Sequence, residues 1–358
     1  MGDRDGAVIV TGASGRLGGA LATSLDDRYR VVAFDRAGPP VPPPGIETID
    51  ADLSSDEGLL PALRRFRDRH GPEVASVLHF AAYYDFSGEP TPLYEQVNVA
   101  GSARLMRCLR EADFQVGQFI YASTMVVHAS GEPGRPIDED SPLGPSLPYS
   151  RSKLRAEEAL RAGRGDIPLV ILRLANVYDD RVHHPVLAQQ FRRIREGGVA
   201  NRFFPGDPGR GQSYLHVSDL IDAVGRAVDR RRDLPPELIL LLGEPGAVAY
   251  GEIQSELGRL LRGSPQGTRR IPRILARAGM IAQGLLPGGG DPFLRPWMID
   301  RADDHFELDV SRARSALGWS PQQSIRSKLP TMAASLVADP EGWYRDNGLE
   351  PPASGQRP

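Results

Sequence analysis

The chain has 358 residues, 40% hydrophobic and 25% charged, which is typical of a globular protein with one large domain or two closely joined ones. Its formal net charge is −3, so no overall positive field draws it to nucleic acid or anionic lipid. No uncharged apolar run reaches the roughly 20 residues that span a bilayer, and the N-terminal stretch lacks a signal-peptide pattern. The single cysteine, Cys108, cannot form an internal disulfide, which favours a cytoplasmic protein.

Apolar, β-branched runs alternate with segments of helical periodicity through the first half of the chain. The strands are predicted at 7–11, 29–35, 45–53, 75–82, 117–124 and 168–176. The helices are predicted at 15–25, 56–71, 93–113 and 149–163. Nearly continuous apolar strands that alternate with helices predict an α/β fold, a Rossmann-like doubly wound parallel sheet covered on both faces. The proline-rich stretch 38–45 cannot form the helix expected there.

This alternation ends after Asn176. The remaining predicted elements are helices at 188–198, 250–263 and 270–286, a strand end and helix over 213–228 with Ser218 as N-cap, a strand at 237–245 and a flexible turn at 287–292. We expect an NAD-binding domain over 1–176, to which 213–245 returns. The segments 177–212 and 246–345 would form a smaller C-terminal substrate lobe, and 346–358 a disordered tail.

A glycine-rich loop follows the first strand and opens the first helix. Gly12, Gly15 and Gly18 have the spacing at which the first allows a tight turn, the second lets the backbone approach a pyrophosphate, and the third allows close packing of helix and strand. The free N–H groups of the helix N-terminus bind the anion. The predicted cofactor contacts in this loop are Gly12, Ser14, Gly15, Arg16, Leu17 and Gly18.

An acid at the end of the second strand, Asp35, lies about twenty residues beyond the loop, as in dinucleotide-binding proteins. A carboxylate there accepts from a ribose 2′-hydroxyl and repels a 2′-phosphate, which favours NAD over NADP. Arg16 and Arg36 would favour the phosphate and weaken this preference. Further cofactor contacts are predicted at the ends of the third and fourth strands, at Asp52, Leu53, Phe80, Ala81 and Ala82.

Tyr149 and Lys153 lie four residues apart in a predicted helix and therefore on one face. An adjacent ammonium and a positive nicotinamide favour the phenolate and would bring the tyrosine pKa from about 10 toward working pH. The pair follows a strand that ends in Ser123-Thr124, in a chain that already has a dinucleotide loop. These signals together predict hydride transfer assisted by a tyrosine acid/base.

Several motifs make the sequence similar to the extended short-chain dehydrogenase/reductase family, the NAD-dependent epimerase/dehydratase group, from Val8 to about Leu329. The motifs are "TGASGRLG", "VNVAGS", "YASTMVVHA", "PYSRSKLRAEE", "LRLANVYD", "SYLHVSDLIDAV" and "LDVSRARSALGWSPQQSI". The resemblance implies that Thr124 binds the reacting oxygen and that Tyr149 is the acid/base. It also implies that Lys153 lowers the tyrosine pKa and holds the nicotinamide ribose, while Asn98 supports a water or backbone group behind the lysine. A homodimer through the helices at 93–113 and 149–163 is a further implication.

The residues after Thr124 reduce the number of reaction types that the chain is expected to catalyse. Family members that are 4,6-dehydratases or decarboxylases carry acids there, whereas this chain has Met125 and Val126. Neither side chain transfers a proton, so elimination and decarboxylation are disfavoured. Oxidation, reduction and epimerisation through a transient ketone remain.

The substrate is expected to be a sugar or nucleotide sugar. Asn176 occupies the place of a sugar-diphosphate contact, and Arg301 resembles a second diphosphate arginine. The first such arginine, however, aligns with Gln212, which loses one bidentate phosphate contact. The alternative is a sterol-like, lactone or aryl alcohol or ketone. The aromatic residues Tyr83, Tyr84 and Phe86, with Asp85 as a polar group, favour it, and Met125 is a further expected substrate contact.

A non-catalytic dinucleotide sensor on the same fold is a different class of function. The intact set of Thr124, Tyr149 and Lys153 favours an enzyme, because a sensor has no need of all three. No metal site is expected, since the adjacent His183 and His184 would point in opposite directions on an extended chain.

Overall fold

The computed structural model describes residues 6–38, 40–285 and 295–351 and is built around a seven-stranded sheet. Its strands are β1 (Ala7–Thr11), β2 (Arg30–Asp35), β3 (Glu47–Asp50), β5 (Ser76–His79), β7 (Phe119–Thr124), β8 (Leu169–Leu174) and β13 (Glu237–Leu242). Eight short strands lie outside this sheet: β4 (Glu73–Val74), β6 (Gln115–Val116), β9 (Asn176–Tyr178), β10 (Phe203–Phe204), β11 (Gly211–Gln212), β12 (Tyr214–His216), β14 (Val248–Ala249) and β15 (Arg269–Arg270).

The strand order explains where a ligand would bind. The order is β13-β8-β7-β5-β1-β2-β3, and every pairing is parallel. The chain runs outward from β1 on one side through β2 and β3 and returns to the other side at β5. In sheets of this kind ligands bind beyond the carboxyl ends of the strands, at the point where the order reverses. The predicted doubly wound parallel sheet is confirmed.

The helices cover both faces of the sheet and continue into the C-terminal part of the chain. They are α1 (Arg16–Leu25), α2 (Asp56–His70), α3 (Ser102–Glu111), α4 (Pro148–Gly163), α5 (Pro185–Glu196), α6 (Val217–Asp229), α7 (Tyr250–Arg262), α8 (Arg273–Leu285), α9 (Pro296–Asp300), α10 (Ser311–Leu317), α11 (Ile325–Ala338) and α12 (Pro340–Asp346). One core packs α1 and α6 against the sheet, and a second packs α2, α3 and α4 against the other face. A third core, from α5, α7, α11 and α12, belongs to the C-terminal part of the chain.

Short strand pairs carry the chain from the sheet into this C-terminal part. β9 pairs with β12 directly after β8, and β11 pairs with β14. Phe306 bridges to Gln212, and Leu308 bridges to Ile137. These contacts bring residues beyond Asn176 to the carboxyl edge of the sheet.

Four local predictions differ from the structure or lie, wholly or partly, outside it. The helix predicted over 93–113 begins as a π-helix, Tyr94–Gly101, before α3. Ser218 does not cap α6, because the His216 side chain accepts the Ser218 N–H and is itself the N-cap. The predicted disordered tail is wrong for its first residues, because Asp346 ends α12 and Leu349 packs against the third core. The turn predicted at 287–292 and residues 352–358 of the predicted tail lie outside the described residues. No helix in the described part of the chain is long and apolar enough to cross a membrane.

Candidate active site

The glycine loop leaves β1 and enters α1 with almost no space around it. Gly12 has φ +76°, and a Cβ there would lie 2.6 Å from the Ala81 nitrogen. A Cβ on Gly18 would lie 2.2 Å from the Gly12 carbonyl oxygen. Gly15 is the N-cap of α1 and has no side-chain cap bond. The loop thus exposes backbone N–H groups at a helix N-terminus, and its residues fit a dinucleotide pyrophosphate.

Asp35 ends β2 beside this loop. Its carboxylate accepts from the Ser14 N–H at 2.8 Å and from the Arg36 N–H at 3.0 Å. Arg36 is exposed, while Arg16 extends across the surface and donates to the carbonyl of Asp346 at 2.5 Å. Arg16 is therefore engaged by the end of α12 rather than by the loop. The acid therefore lies at the carboxyl end of β2, hydrogen-bonded to the glycine loop.

The other predicted cofactor contacts have mixed surroundings. Asp52 accepts from the Ser54 N–H, and this bond lowers the pKa of its carboxyl. Leu53 is buried and Ala82 is exposed. Phe80 packs against the core, and the Ala81 N–H donates to the Thr11 hydroxyl. Leu17 also packs partly against this core.

Thr124 and the Tyr149–Lys153 pair meet at the carboxyl end of β7. The Lys153 ammonium donates to the Ala122 carbonyl at 2.8 Å, and its Nζ lies 5.8 Å from the centroid of the Tyr149 ring. Lys153 is 2% exposed. Thr124 is partly exposed, and its hydroxyl accepts from the Val126 N–H at 3.4 Å. The predicted groups are thus presented by one strand end and one helix.

Burial dominates the protonation of this pair. It raises the pKa of Tyr149 well above the ordinary value, and the Tyr84 and Tyr94 phenols add to the rise. It also lowers the pKa of Lys153 to about 7, against which the Glu157 carboxylate acts. The expected lowering of the tyrosine pKa is therefore not found for the protein alone, because desolvation of the phenolate outweighs the attraction of the nearby ammonium.

Asn98 lies in the π-helical segment and binds the chain that follows β5. Its Oδ1 accepts from the Tyr83 N–H at 2.7 Å, and its Nδ2 donates to the Tyr83 carbonyl at 3.0 Å. The same amide donates to the Ser152 hydroxyl at 2.9 Å. Asn98 thus contacts the residue before Lys153 and fixes the aromatic segment beyond β5. π-helical turns often occur at functional sites.

This aromatic segment contacts the predicted acid/base directly. The rings of Tyr84 and Tyr149 meet edge to face with centroids 5.0 Å apart. Phe86 meets Trp297 of α9 at 5.6 Å, and the indole N–H donates to the Phe86 carbonyl. Asp85 accepts from the Ser87 N–H and hydroxyl. Tyr84 is 52% exposed, so its ring forms an outer wall beside Tyr149.

Asn176 and Gln212, both predicted substrate contacts, lie side by side. The Asn176 Nδ2 donates to the Gln212 Oε1 at 2.6 Å, and the Asn176 Oδ1 lies 3.3 Å from the His184 Nε2. Because the His184 Nδ1 accepts from the Leu187 N–H, its Nε2 carries the proton and donates to Asn176. Burial lowers the pKa of His184 to about 4, which keeps the ring neutral. Gln212, Asn176 and the neutral His184 ring thus form a hydrogen-bonded chain without net charge.

Two predicted substrate contacts have other partners. Met125 is 1% exposed because the 3₁₀ turn Met125–Val127 directs it into the core, which disagrees with its predicted contact; Val126 is partly exposed. Arg301 donates to the Asp304 carboxylate at 2.5 Å, so its charge is already paired. His79 is a buried core histidine between the Thr11 and Ser102 hydroxyls.

Sequence reasoning missed three residues of this site. Trp297 lies beyond the predicted turn at 287–292 and was not singled out, His184 was considered only as a metal ligand, and Ser152 lies between two assigned residues. The described residues contain no group of three or more His, Cys, Asp or Glu side chains placed to hold a metal ion.

The glycine loop, Asp35 and the strand-end and helix residues define a dinucleotide-binding fold of the short-chain dehydrogenase/reductase type. The family model for the NAD dependent epimerase/dehydratase family matches residues 8–243, and the chain belongs to that family. It is therefore an NAD-dependent enzyme by family, and NAD is the cofactor that its site residues fit.

Individual relatives differ in the substrates that their names state. A UDP-glucose 4-epimerase of Mycolicibacterium smegmatis is 27% identical over 88% of this chain and 94% of that protein. A 3-beta-hydroxysteroid dehydrogenase of Mycolicibacterium neoaurum is 29% identical over 91% of both chains. The solved structure of MoeE5 in complex with UDP-glucose and NAD is 25% identical, covers 95% of this chain and 99% of that chain, and superposes with a TM-score of 0.67.

Proposed function

We propose that this protein transfers a hydride between a secondary alcohol carbon of its substrate and the nicotinamide, as a dehydrogenase or as the redox half of an epimerase. The observation that carries the proposal is the convergence of Tyr149, Lys153 and Thr124 at the carboxyl end of β7, beside the point where the sheet order reverses. NAD would accept the hydride and return it. The Asp35 carboxylate would accept from the adenosine ribose.

Each side chain has a separate proposed task. The Thr124 hydroxyl would donate to the reacting oxygen, and Tyr149 would remove its proton during oxidation and restore it during reduction. Lys153 would bind the nicotinamide ribose and, with the positive ring, favour the phenolate that burial alone disfavours. Asn98 would hold the Tyr83 segment and Ser152 in place. Met125 and Val126 supply no proton, so elimination and decarboxylation stay disfavoured.

For the substrate we propose a nucleotide sugar, on the strength of the UDP-glucose relatives and of Asn176, which the family resemblance assigns to the sugar diphosphate. An epimerase would oxidise one sugar carbon to a ketone and reduce the opposite face of the same ketone, so the cofactor is regenerated and no co-substrate is consumed. This reaction needs no acid or base beyond Tyr149 for its redox steps.

A second candidate substrate is a non-nucleotide alcohol such as a hydroxysteroid. Two observations favour it: the neutral chain of His184, Asn176 and Gln212 where a phosphate would need an arginine, and the aromatic walls formed by Tyr84, Phe86 and Trp297. The steroid dehydrogenase relative is in agreement. Aromatic faces bind the apolar faces of both sugars and sterols and therefore do not distinguish the two substrate classes. The absence of a positive charge on Gln212 does, because only a phosphate would need that charge.

One experiment tests both levels of the proposal. The NAD-loaded protein is screened by thermal shift against UDP-, GDP- and dTDP-sugars and against free sterols and aryl alcohols, and any stabilising compound is then assayed for turnover. Tyr149→Phe should keep NAD binding and lose turnover by a hundredfold or more, in line with the usual size of acid/base catalysis, about 10²–10⁴-fold. Full activity of Tyr149→Phe on the true substrate would overturn the mechanism. Turnover of no alcohol at all would favour a sensor.

We also propose the architecture and assembly expected from the sequence. Residues 1–176 with 213–245 would bind the cofactor, and 177–212 with 246–345 would bind the substrate. A homodimer through the faces of α3 and α4, in the cytoplasm, is the proposed working form. Sedimentation velocity of the full chain tests the dimer.

A further inference from the structure

The two hydroxyls at the end of β7 have different partners. The Ser123 hydroxyl donates to the Glu157 Oε1 at 2.5 Å, and both side chains are buried, at 3% and 0% exposure. The next hydroxyl, on Thr124, stays at the partly exposed cleft edge. Successive strand residues point to opposite sides, which separates the two roles. Ser123 is therefore held by α4, while Thr124 is left for the substrate.

Glu157 is the centre of a fully bonded buried network. Arg173 of β8 donates to both of its carboxylate oxygens, from Nε at 3.2 Å and from Nη2 at 2.8 Å, and Arg161 adds a bond at 3.3 Å. The remaining guanidinium nitrogen of Arg173, Nη1, donates to the Glu139 carbonyl and to the His128 Nε2 at 3.0 Å. A buried ion pair persists only where its remaining hydrogen-bonding groups are also satisfied.

The tautomer of His128 follows from its partners. Arginine can only donate, so the His128 Nε2 must accept and its Nδ1 must carry the proton, which it gives to the Ser141 carbonyl at 3.1 Å. Burial lowers the pKa of His128 to about 4 and keeps the ring neutral. The network thus connects β7, α4, β8 and the loop that follows Thr124.

Glu157 also lies one helical turn beyond Lys153 on the buried side of α4. The helix is tied to β7 at two successive residues, by Lys153 at the Ala122 carbonyl and by Glu157 at the Ser123 hydroxyl. Thr124 is the next residue along the strand. These two bonds fix the position of α4 along β7. They therefore also fix the position of Tyr149 relative to the Thr124 hydroxyl.

Glu157 is the neighbour whose negative charge acts on Lys153, as the groups that face the lysine show. They are Tyr149 and Glu157 on its own helix, Tyr121 of β7, whose ring centroid is 4.9 Å from Nζ, and the neutral His79 of β5. Among these neighbours Glu157 is the carboxylate. It favours the ammonium form of Lys153 in a site whose burial favours the neutral amine.

We propose that Glu157, held by Arg173 and Ser123, is a positioning residue that sets α4 against β7 and supplies the negative charge that keeps Lys153 an ammonium. This inference rests on the proposed function in assigning Lys153 its task. Glu157 touches neither substrate nor cofactor in this scheme and acts through Lys153 and Ser123.

The test compares Glu157→Gln with Glu158→Gln in the full chain. Glu158 is the adjacent residue on α4 and is exposed, so the second variant removes the same charge from the same helix without touching the network. For Glu157→Gln we expect a ten- to hundredfold loss of kcat, with the alkaline limb of the pH–rate profile moved about one unit lower, because the ammonium loses its proton more readily. Glu158→Gln should keep both the rate and the profile.

Two further variants separate charge from structure and cover the case in which Glu157→Gln does not fold. Glu157→Asp keeps the charge with a shorter reach, and Ser123→Ala removes only the bond to β7; each should lower kcat several-fold and leave the pH limbs in place. A Glu157→Gln profile that superposes on the wild-type profile overturns the electrostatic role. Wild-type kcat in both Glu157→Asp and Ser123→Ala overturns the positioning role.

The inference also has a readout that needs no substrate. The pH dependence of the unfolding free energy reports the titration of Lys153, and its midpoint should move lower in Glu157→Gln but not in Glu158→Gln. An unmoved midpoint counts against the inference alone. Failure of the wild-type protein to turn over any alcohol counts against the proposed function alone.

Discussion

The Ser14 N–H donates to the Asp35 carboxylate at 2.8 Å and thereby joins the glycine loop to the end of the neighbouring strand. The bond orients the carboxylate in the crevice where β1 and β2 end, with one oxygen turned toward the loop. The Arg36 N–H binds the other oxygen. An acid fixed in this way prefers a ribose hydroxyl to a 2′-phosphate, because it can accept from the first and repels the second.

Asp35→Ala should therefore weaken NAD binding about tenfold, the size of one hydrogen bond to a charged group, and improve NADP relative to NAD. Arg36, exposed and adjacent to the acid, is then the charge that would attract the phosphate, since Arg16 donates to the Asp346 carbonyl. Titration calorimetry with both cofactors measures the ratio. Asp50→Ala is the control, since this acid ends β3 and accepts from the exposed Ala37 N–H. An unchanged ratio in Asp35→Ala would contradict the assigned role.

Gly12 combines a positive φ with a close neighbour, and the two effects can be separated. Gly12→Ala places a Cβ 2.6 Å from the Ala81 nitrogen, whereas Gly45, with φ +86°, has nothing within 4 Å of its Cβ position. Gly12→Ala and the control Gly45→Ala should both suffer backbone strain of about 1 kcal/mol or more, because each places a side chain at a positive φ. Only Gly12→Ala should also lose NAD binding and a further part of its stability, by displacing the chain after β5. Equal losses of unfolding free energy in urea melts would show that strain alone matters.

The sequence was sufficient for the parts of the site that depend on local pattern. Apolar strands, helix spacing and the glycine triplet predict the sheet, α1 and α4, because these follow from periodicity and from backbone requirements close together in the chain. The family likeness favours Thr124 over Ser123 as the reacting hydroxyl. The structure adds that the Ser123 hydroxyl is bonded to Glu157, 34 residues away.

Other features needed the three-dimensional fold. The contact of Asn176 with Gln212 depends on the pairing of β9 with β12 and β11 with β14, and no periodicity predicts such short strands. The burial of Met125 depends on a single 3₁₀ turn, and the contact of Trp297 with Phe86 joins residues 211 positions apart. The pKa of Tyr149 is raised because its side chain is buried, and this burial cannot be read from the sequence.

His79 provides a pH-dependent stability that can be measured without substrate. Burial, and then the charge of Lys153, lower its pKa to about 3, against about 6.5 in an unfolded chain. Between these values the unfolded state binds a proton that the folded state does not, so stability is lost as pH falls, by about 1.4 kcal/mol per pH unit. His79→Gln should remove this slope below about pH 6.5 and leave the slope above pH 7.5 unchanged. Parallel curves of unfolding free energy against pH for the two proteins would contradict the prediction.

The two proposed substrate classes should respond differently to a positive charge introduced at residue 212. Gln212 accepts from the Asn176 amide at 2.6 Å and has a neutral side chain at the position that the family resemblance assigns to a phosphate-binding arginine. Gln212→Arg should therefore tighten binding of a UDP-sugar about tenfold through charge-assisted hydrogen bonds, while a free sterol or aryl alcohol gains nothing. Gln212→Met, similar in size and neutral, controls for loss of the Asn176 contact. Isothermal titration of the NAD-loaded proteins measures both ligand classes. Tighter binding of the sterol in Gln212→Arg, or no gain for the UDP-sugar, would mean that residue 212 does not face the diphosphate.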